Sequence, residues 1–332
     1  MGWRRDSFLS HTYASATPQA LNNIFLFPGQ GSQAVGMGKD LAFRFPKARR
    51  RFEHASEILG FDLAAVCFDG PEDALRQTRA TQPALYVHSF VAMELLADRG
   101  VYAIAAAGHS VGEYAALACA GVFSFEDGLK LVKARAEAMQ QAGEINPGTM
   151  AAIVGLDDAV VRGVCDEADR EGIVVPANYN SPGQLVISGA APAVVMAMEL
   201  AKARGARIAK QLSVSGAFHS PLMKPAAEIL SAALAAASLK NPKIPVVSNV
   251  TARAHENAES VRRLLAEQLL APVRWTESVH ELARTSNARW FEVGSGTVLS
   301  GLLKRTIPGA SAKTVSSVSD LDAVVGELSV AP

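Results

Sequence analysis

The alternation of apolar and polar residues changes period along the chain, and those changes divide it into elements. The first apolar run, Ile24 to Phe27 in NIFLF, is short and bounded by a Pro-Gly-Gln-Gly-Ser-Gln loop, which predicts a buried strand. From Lys39 to about Asp98 the spacing is helical, as in FPKARRRFEHASEIL and TQPALYVHSFVAMELLADRG. VYAIAAA then predicts a second strand, GHSVG a tight turn, and EYAALACA a helix. SFEDGLKLVKARAEAMQQA opens on a capping signature, Ser124 followed three residues later by Asp127, and continues as a long helix.

At NPGT, residues 146–149, the texture changes. MAAIVGL, IVVPANY, QLVISGA and ARIAKQLSV read as strands, with helices in DDAVVRGVCDEADREG and APAVVMAMELAKARGA. Strand, helix, strand, strand, helix, strand is the order of a ferredoxin-like unit. PVVSNV and ARWFEVGSG supply later strands after Ser215. The expected fold is therefore α/β: a hydrolase-like large subdomain with a central, mainly parallel sheet (23–146 and 215–332), and an inserted, small ferredoxin-like α+β subdomain (147–214). Residues 1–22 are expected to form a flexible extension: they carry neither a signal-peptide core nor a myristoylation pattern, and although two early arginines and several hydroxyl residues fit a transit peptide, Asp6 and weak amphipathicity argue against one.

Bulk properties narrow the function classes. The 332 residues are 49% hydrophobic and 19% charged, the composition of a soluble globular protein. Thirty-two Lys and Arg balance thirty-two Asp and Glu, so no global field favours nucleic acid or an anionic membrane. Three scattered cysteines, Cys67, Cys119 and Cys165, suggest neither a disulfide framework nor a metal cluster, and a reducing cytoplasm is the expectation. No apolar run approaches the roughly 18 residues of a membrane-spanning helix.

The chemistry centres on GHSVG, residues 108–112. Between a strand and a helix, G-x-S-x-G places Ser110 at the apex of a crowded turn, where neighbours two positions away must be small. The Val111 N–H is then the natural donor to a developing oxyanion. An ordinary glycine-rich turn remains the alternative on the motif alone. Serine needs a base. His11 falls in the N-terminal extension, while His54, His88 and His280 lie in helical patterns. His255 reads as part of a surface loop, and His109 is expected to point away from Ser110. His219, in SVSGAFHSPLM after a small-residue turn, is the remaining candidate. Arg135 shares a helical stripe with Leu131, Val132 and Met139, where an unpaired guanidinium is costly. It is either a snorkelling structural arginine or a receptor for a substrate carboxylate.

FPGQGSQAVGMG, TQPAL, GHSVGEYAAL, LVKARAEAMQ, NYNSPGQLVISG, SGAFHSPLM, PVVSNVTA, QLLAPVRW and EVGSGTVLSGLLKR occur in one order from about Ile24 to Arg305. Together they resemble the malonyl-CoA:acyl carrier protein transacylases, the acyltransferases of fatty acid synthesis and its polyketide relatives. The resemblance implies Ser110 as nucleophile and His219 as base. It also implies the backbone N–H groups of Gln30 and Val111 as the oxyanion hole, Arg135 as the ligand of the malonyl carboxylate, and the Gln268 carbonyl as the group orienting the histidine. Phe218 matches the form typical of malonyl users; Asn180 resembles a residue near the cleft. Malonyl-CoA would be the donor and the phosphopantetheine thiol of an acyl carrier protein the acceptor, with no bound cofactor and no metal. The expected state is a cytoplasmic monomer that binds no nucleic acid and no membrane. Lys304 and Arg305 are candidates for a basic carrier-docking patch. A water-accepting hydrolase on the same fold and a silent docking module are the rivals; Arg135 argues against the first, and the presence of Ser110 and His219 against the second. GSGT, 294–297, is expected to be a turn rather than a phosphate loop.

Overall fold

The structure is a computed structural model that describes residues 22–330. The expected extension, apart from Asn22, lies outside the described residues. Five parallel strands form the central sheet in the order β7-β2-β1-β8-β9, where β1 is Asn23–Phe27, β2 Ala105–Gly108, β7 Val246–Val247, β8 Arg289–Val293 and β9 Ala312–Val315. A parallel sheet buried on both faces needs apolar residues at successive positions, and NIFLF supplies them. Alternation sends Phe25 and Phe27 into one core with Phe291 and Val293, while Ile24 and Leu26 enter a second core with Trp290 and Trp275. The first core is covered by the long helices Thr78–Ala97 and Phe125–Ile145, the second by Trp275–Leu282 and Val298–Thr306. Ser124 caps the second long helix by accepting from the Asp127 N–H at 3.1 Å.

Four antiparallel strands form a separate sheet in the order β4-β5-β3-β6: β3 is Gly148–Val154, β4 Val174–Ser181, β5 Gln184–Ala190 and β6 Ile208–Gln211. The helices Asp158–Ala168 and Ala191–Ala203 pack against one face through Val161, Val164, Ala193 and Val194 over Ala151, Ile153 and Ile187. Met150 and Val186 project from the opposite face into the core cluster of the parallel sheet. This is the mixed α/β class expected, with a mainly parallel sheet and a small antiparallel one. The two sheets are tied where the Tyr179 N–H donates to the Val273 carbonyl and the Val273 N–H to that of Ala177.

Two local readings are corrected. PVVSNV contributes only Val246 and Val247 to the sheet, because Ser248 and Asn249 leave it in a turn closed by the Ala252 N–H on the Ser248 carbonyl. His255 is not on a surface loop: its N–H bonds the Val246 carbonyl, Val247 bridges Ala254, and the returning segment carries the imidazole into the interior, 5% exposed. Among the described residues no helix is long and apolar enough to cross a membrane.

Candidate active site

Ser110 stands where β2 turns sharply into the helix Gly112–Cys119, with φ at +53°. A non-glycine residue in the left-handed region is strained, and here the strain aims the hydroxyl outward. The flanking glycines are sterically required: a Cβ on Gly108 would lie 1.9 Å from the Gly112 carbonyl carbon, and one on Gly112 2.2 Å from the Phe27 carbonyl oxygen. The Asn249 side chain pins the turn, accepting from the Ser110 N–H at 2.7 Å and donating to the Gly108 carbonyl at 2.7 Å.

His219, also at positive φ (+57°), comes from the segment following the antiparallel sheet. Its Nδ1–H donates to the Gln268 carbonyl at 2.8 Å, which leaves Nε2 as an acceptor facing the Ser110 hydroxyl at 2.8 Å. Burial, reinforced by the nearby Arg135 charge, pushes the imidazole down to about 3 from its usual 6.5. The ring is therefore neutral at physiological pH, with the Nε2 lone pair facing the Ser110 hydroxyl.

Arg135 is wholly buried on the long helix. It donates to Gln82 Oε1 at 2.7 Å, Gln268 Oε1 at 3.0 Å and Ser110 Oγ at 3.0 Å; its Nε has no partner among the described residues. Burial lowers its pKa, and the Tyr114 and Glu113 side chains oppose that shift. All three acceptors are neutral, so the guanidinium lacks a direct counter-charge beside the serine. A carboxylate entering here would be held by charge-assisted bonds.

A cavity of about 190 Å³ opens onto Ser110, Arg135 and His219. Gln30 and Val111 line it, and among the described residues neither backbone N–H has a hydrogen-bond acceptor. Two unpaired donors beside a nucleophile suit an oxyanion. The opposite wall is apolar, made by Met150, Val186, Leu212, Val214 and Phe218. Asn180 also lines it, accepting from His109 Nε2 at 2.9 Å, so His109 turns from Ser110 toward that wall. Arg305 lies at the cavity lining and Lys304 beside it is exposed. The first N–H groups of the helix after GSGT are taken by Glu292, whose carboxylate accepts from Leu299 and Ser300 at 2.9 and 2.7 Å, leaving no phosphate cradle there.

Four polar residues of this network escaped the sequence reading: Gln82, Glu113, Asn249 and His255. Glu113 carries the signal used for Arg135, a charged side chain in an apolar helical stretch, whereas Gln82, Asn249 and His255 lie among other polar residues and carry none.

The family model for the acyl transferase domain matches residues 24–327. The chain belongs to the acyl transferase domain family. The chain is 44% identical over 302 residues to the malonyl CoA-acyl carrier protein transacylase of Escherichia coli K12, covering 91% of this chain and 98% of that protein. The solved malonyl-CoA:acyl carrier protein transacylase of Xanthomonas oryzae superposes with a TM-score of 0.89 at 45% identity, over 93% of this chain and 98% of that one. A malonyl-transacylase solved in complex with its type II polyketide synthase acyl-carrier protein gives 0.89 at 41% identity, over 92% and 99%. These two solved relatives share the fold of this chain over nearly their whole length. No group of three or more His, Cys, Asp or Glu side chains among the described residues could hold a metal ion.

Proposed function

We propose that this chain transfers the malonyl group from malonyl-CoA to the phosphopantetheine thiol of an acyl carrier protein, as a monomer in the cytoplasm, for fatty acid synthesis. The observation that carries the reading is a buried arginine without an acidic partner in contact, 3.0 Å from a strained serine that is itself 2.8 Å from a neutral histidine.

Ser110 Oγ attacks the thioester carbonyl carbon while His219 Nε2 takes its proton. The tetrahedral oxyanion is received by the N–H groups of Gln30 and Val111, each such donor contributing roughly 3 kcal/mol to barrier lowering. The C–S bond breaks, His219 returns the proton to sulfur, and CoA departs as a thiol from a malonyl-serine ester. The carrier thiol then gives its proton to His219 and attacks that ester, and Ser110 Oγ leaves with the proton. Gln268, through its carbonyl, keeps the histidine in the tautomer both steps need, so no carboxylate is required behind it. Arg135 binds the malonyl carboxylate, and an uncharged acyl group would leave the guanidinium unpaired. Phe218 and Asn180 shape the acyl pocket, and Lys304 and Arg305 face the carrier.

A second reading, loading of a polyketide synthase carrier, is favoured by the likeness to the type II polyketide complex. Intact-protein mass after brief incubation with malonyl-CoA, then with holo carrier, tests the chemistry. We expect a malonyl adduct that is absent in Ser110→Ala, falls about a hundredfold in formation rate in Arg135→Ala, and moves to the carrier. Decay to free malonate at a rate the carrier does not change would make the chain a hydrolase.

A further inference from the structure

Glu113 lies one turn past Ser110 on the elbow helix and is wholly buried, yet no step of the transfer uses a carboxylate there. Both of its oxygens are committed. Oε1 accepts from His255 Nε2 at 2.7 Å, with neither side chain exposed to solvent. Oε2 accepts from the Asn249 N–H at 3.1 Å and from Gln268 Nε2 at 2.7 Å.

The last contact sets the direction of an amide. With Gln268 Nε2 held by a carboxylate and by the Ser110 carbonyl at 3.1 Å, Oε1 is turned toward Arg135 Nη2 at 3.0 Å. The flipped amide would set oxygen against carboxylate and N–H₂ against guanidinium, repulsive at both ends. His255 holds the other end of the carboxylate, and its Nδ1 has no partner among the described residues, so the ring is engaged through the Glu113 bond alone. Glu113 also opposes the loss of Arg135 charge that burial causes.

We infer that Glu113 and His255 are positioning residues that orient the Gln268 amide and, through it, hold Arg135 in place for the acyl carboxylate. The inference rests on the malonyl-transfer reading above. Neither residue touches substrate; their effect is on which acyl group is accepted.

The test compares initial transfer rates from malonyl-CoA and acetyl-CoA to one holo carrier. In Glu113→Leu, which removes both acceptors, the malonyl-to-acetyl ratio of kcat/KM falls about tenfold, mainly through KM for malonyl-CoA. Glu113→Gln, which keeps an acceptor for Gln268, restores most of the ratio. Combined with Arg135→Ala, Glu113→Leu changes the ratio no further. Equal losses on both substrates, an unchanged ratio, or additive effects would overturn the inference. Should Glu113→Leu fail to fold, His255→Leu reads the same ratio with the carboxylate retained: a fall of about threefold supports the relay and no change refutes it. Wild type that moves no malonyl to the carrier would remove the malonyl reading itself; normal wild-type transfer with unchanged ratios would remove this inference alone.

Discussion

The two sides of the cleft are built on opposite principles. On the parallel-sheet side, Ser110, Arg135, Gln268, Asn249 and Glu113 form a hydrogen-bonded network that is mostly out of solvent. On the antiparallel-sheet side the cavity meets Met150, Val186 and Leu212, with Asn178, Asn180 and Gln184 as its polar points. A polar network in low dielectric has one satisfied arrangement, so it can hold reacting atoms to tenths of an ångström. An apolar wall tolerates changes of shape, so it can exclude water and fit an acyl chain without fixing the chemistry. Chemistry is therefore concentrated on one side and enclosure on the other.

That comparison breaks most plainly at His219. His219→Ala is expected to cut transfer by roughly a thousandfold or more, whereas Val186→Ala on the facing wall costs less than about tenfold. Stopped-flow acylation of both variants checks this, and a Val186 loss equal to that of His219 would erase the distinction. Gly108→Ala comes next: a methyl group 1.9 Å from the Gly112 carbonyl carbon must force the elbow apart, so we expect a loss of at least about 3 kcal/mol in denaturant unfolding. An unchanged midpoint would show that the elbow is not tightly packed.

The effect of pH is on stability and leaves the acylation rate alone. His219 and His88 are held down by burial, to about 3 and about 4, against an ordinary 6.5. Above pH 6.5 both are neutral folded and unfolded and change nothing. Below it the unfolded chain takes up protons that the folded chain refuses, so stability falls with pH from about 6.5 toward 4 for His88 and toward 3 for His219. Melting temperature should decline over that window, while acylation per folded molecule stays flat between pH 7 and 5. An acylation rate titrating near 6.5 would mean that the imidazole is not buried as described.

Much of this was legible along the chain because it depends on neighbours. NIFLF is apolar at every position because both faces of β1 are covered, and G-x-S-x-G is a local steric demand that its two glycines announce. The strand and helix order after Asn146 likewise announced the antiparallel unit, although of its spatial order β4-β5-β3-β6 only the β4-β5 hairpin joins neighbours in sequence, the other two pairings being made across the helices Asp158–Ala168 and Ala191–Ala203. Arg135 announced itself as a cation on an apolar stripe, but two readings fitted that pattern until its partners were known.

What tertiary structure alone decided is where distant polar groups meet. His255 lies in a stretch as polar as any surface loop, and only the return of its segment along β7 brings it 142 residues back to Glu113. Gln268 could be placed by its motif, yet its role as a two-ended amide exists only because Glu113 and Arg135 lie on either side of it. Hydrophobic periodicity records which way a side chain faces, since that is a property of one element. The partner of a buried polar group belongs to two elements at once, and no single stretch of sequence carries it.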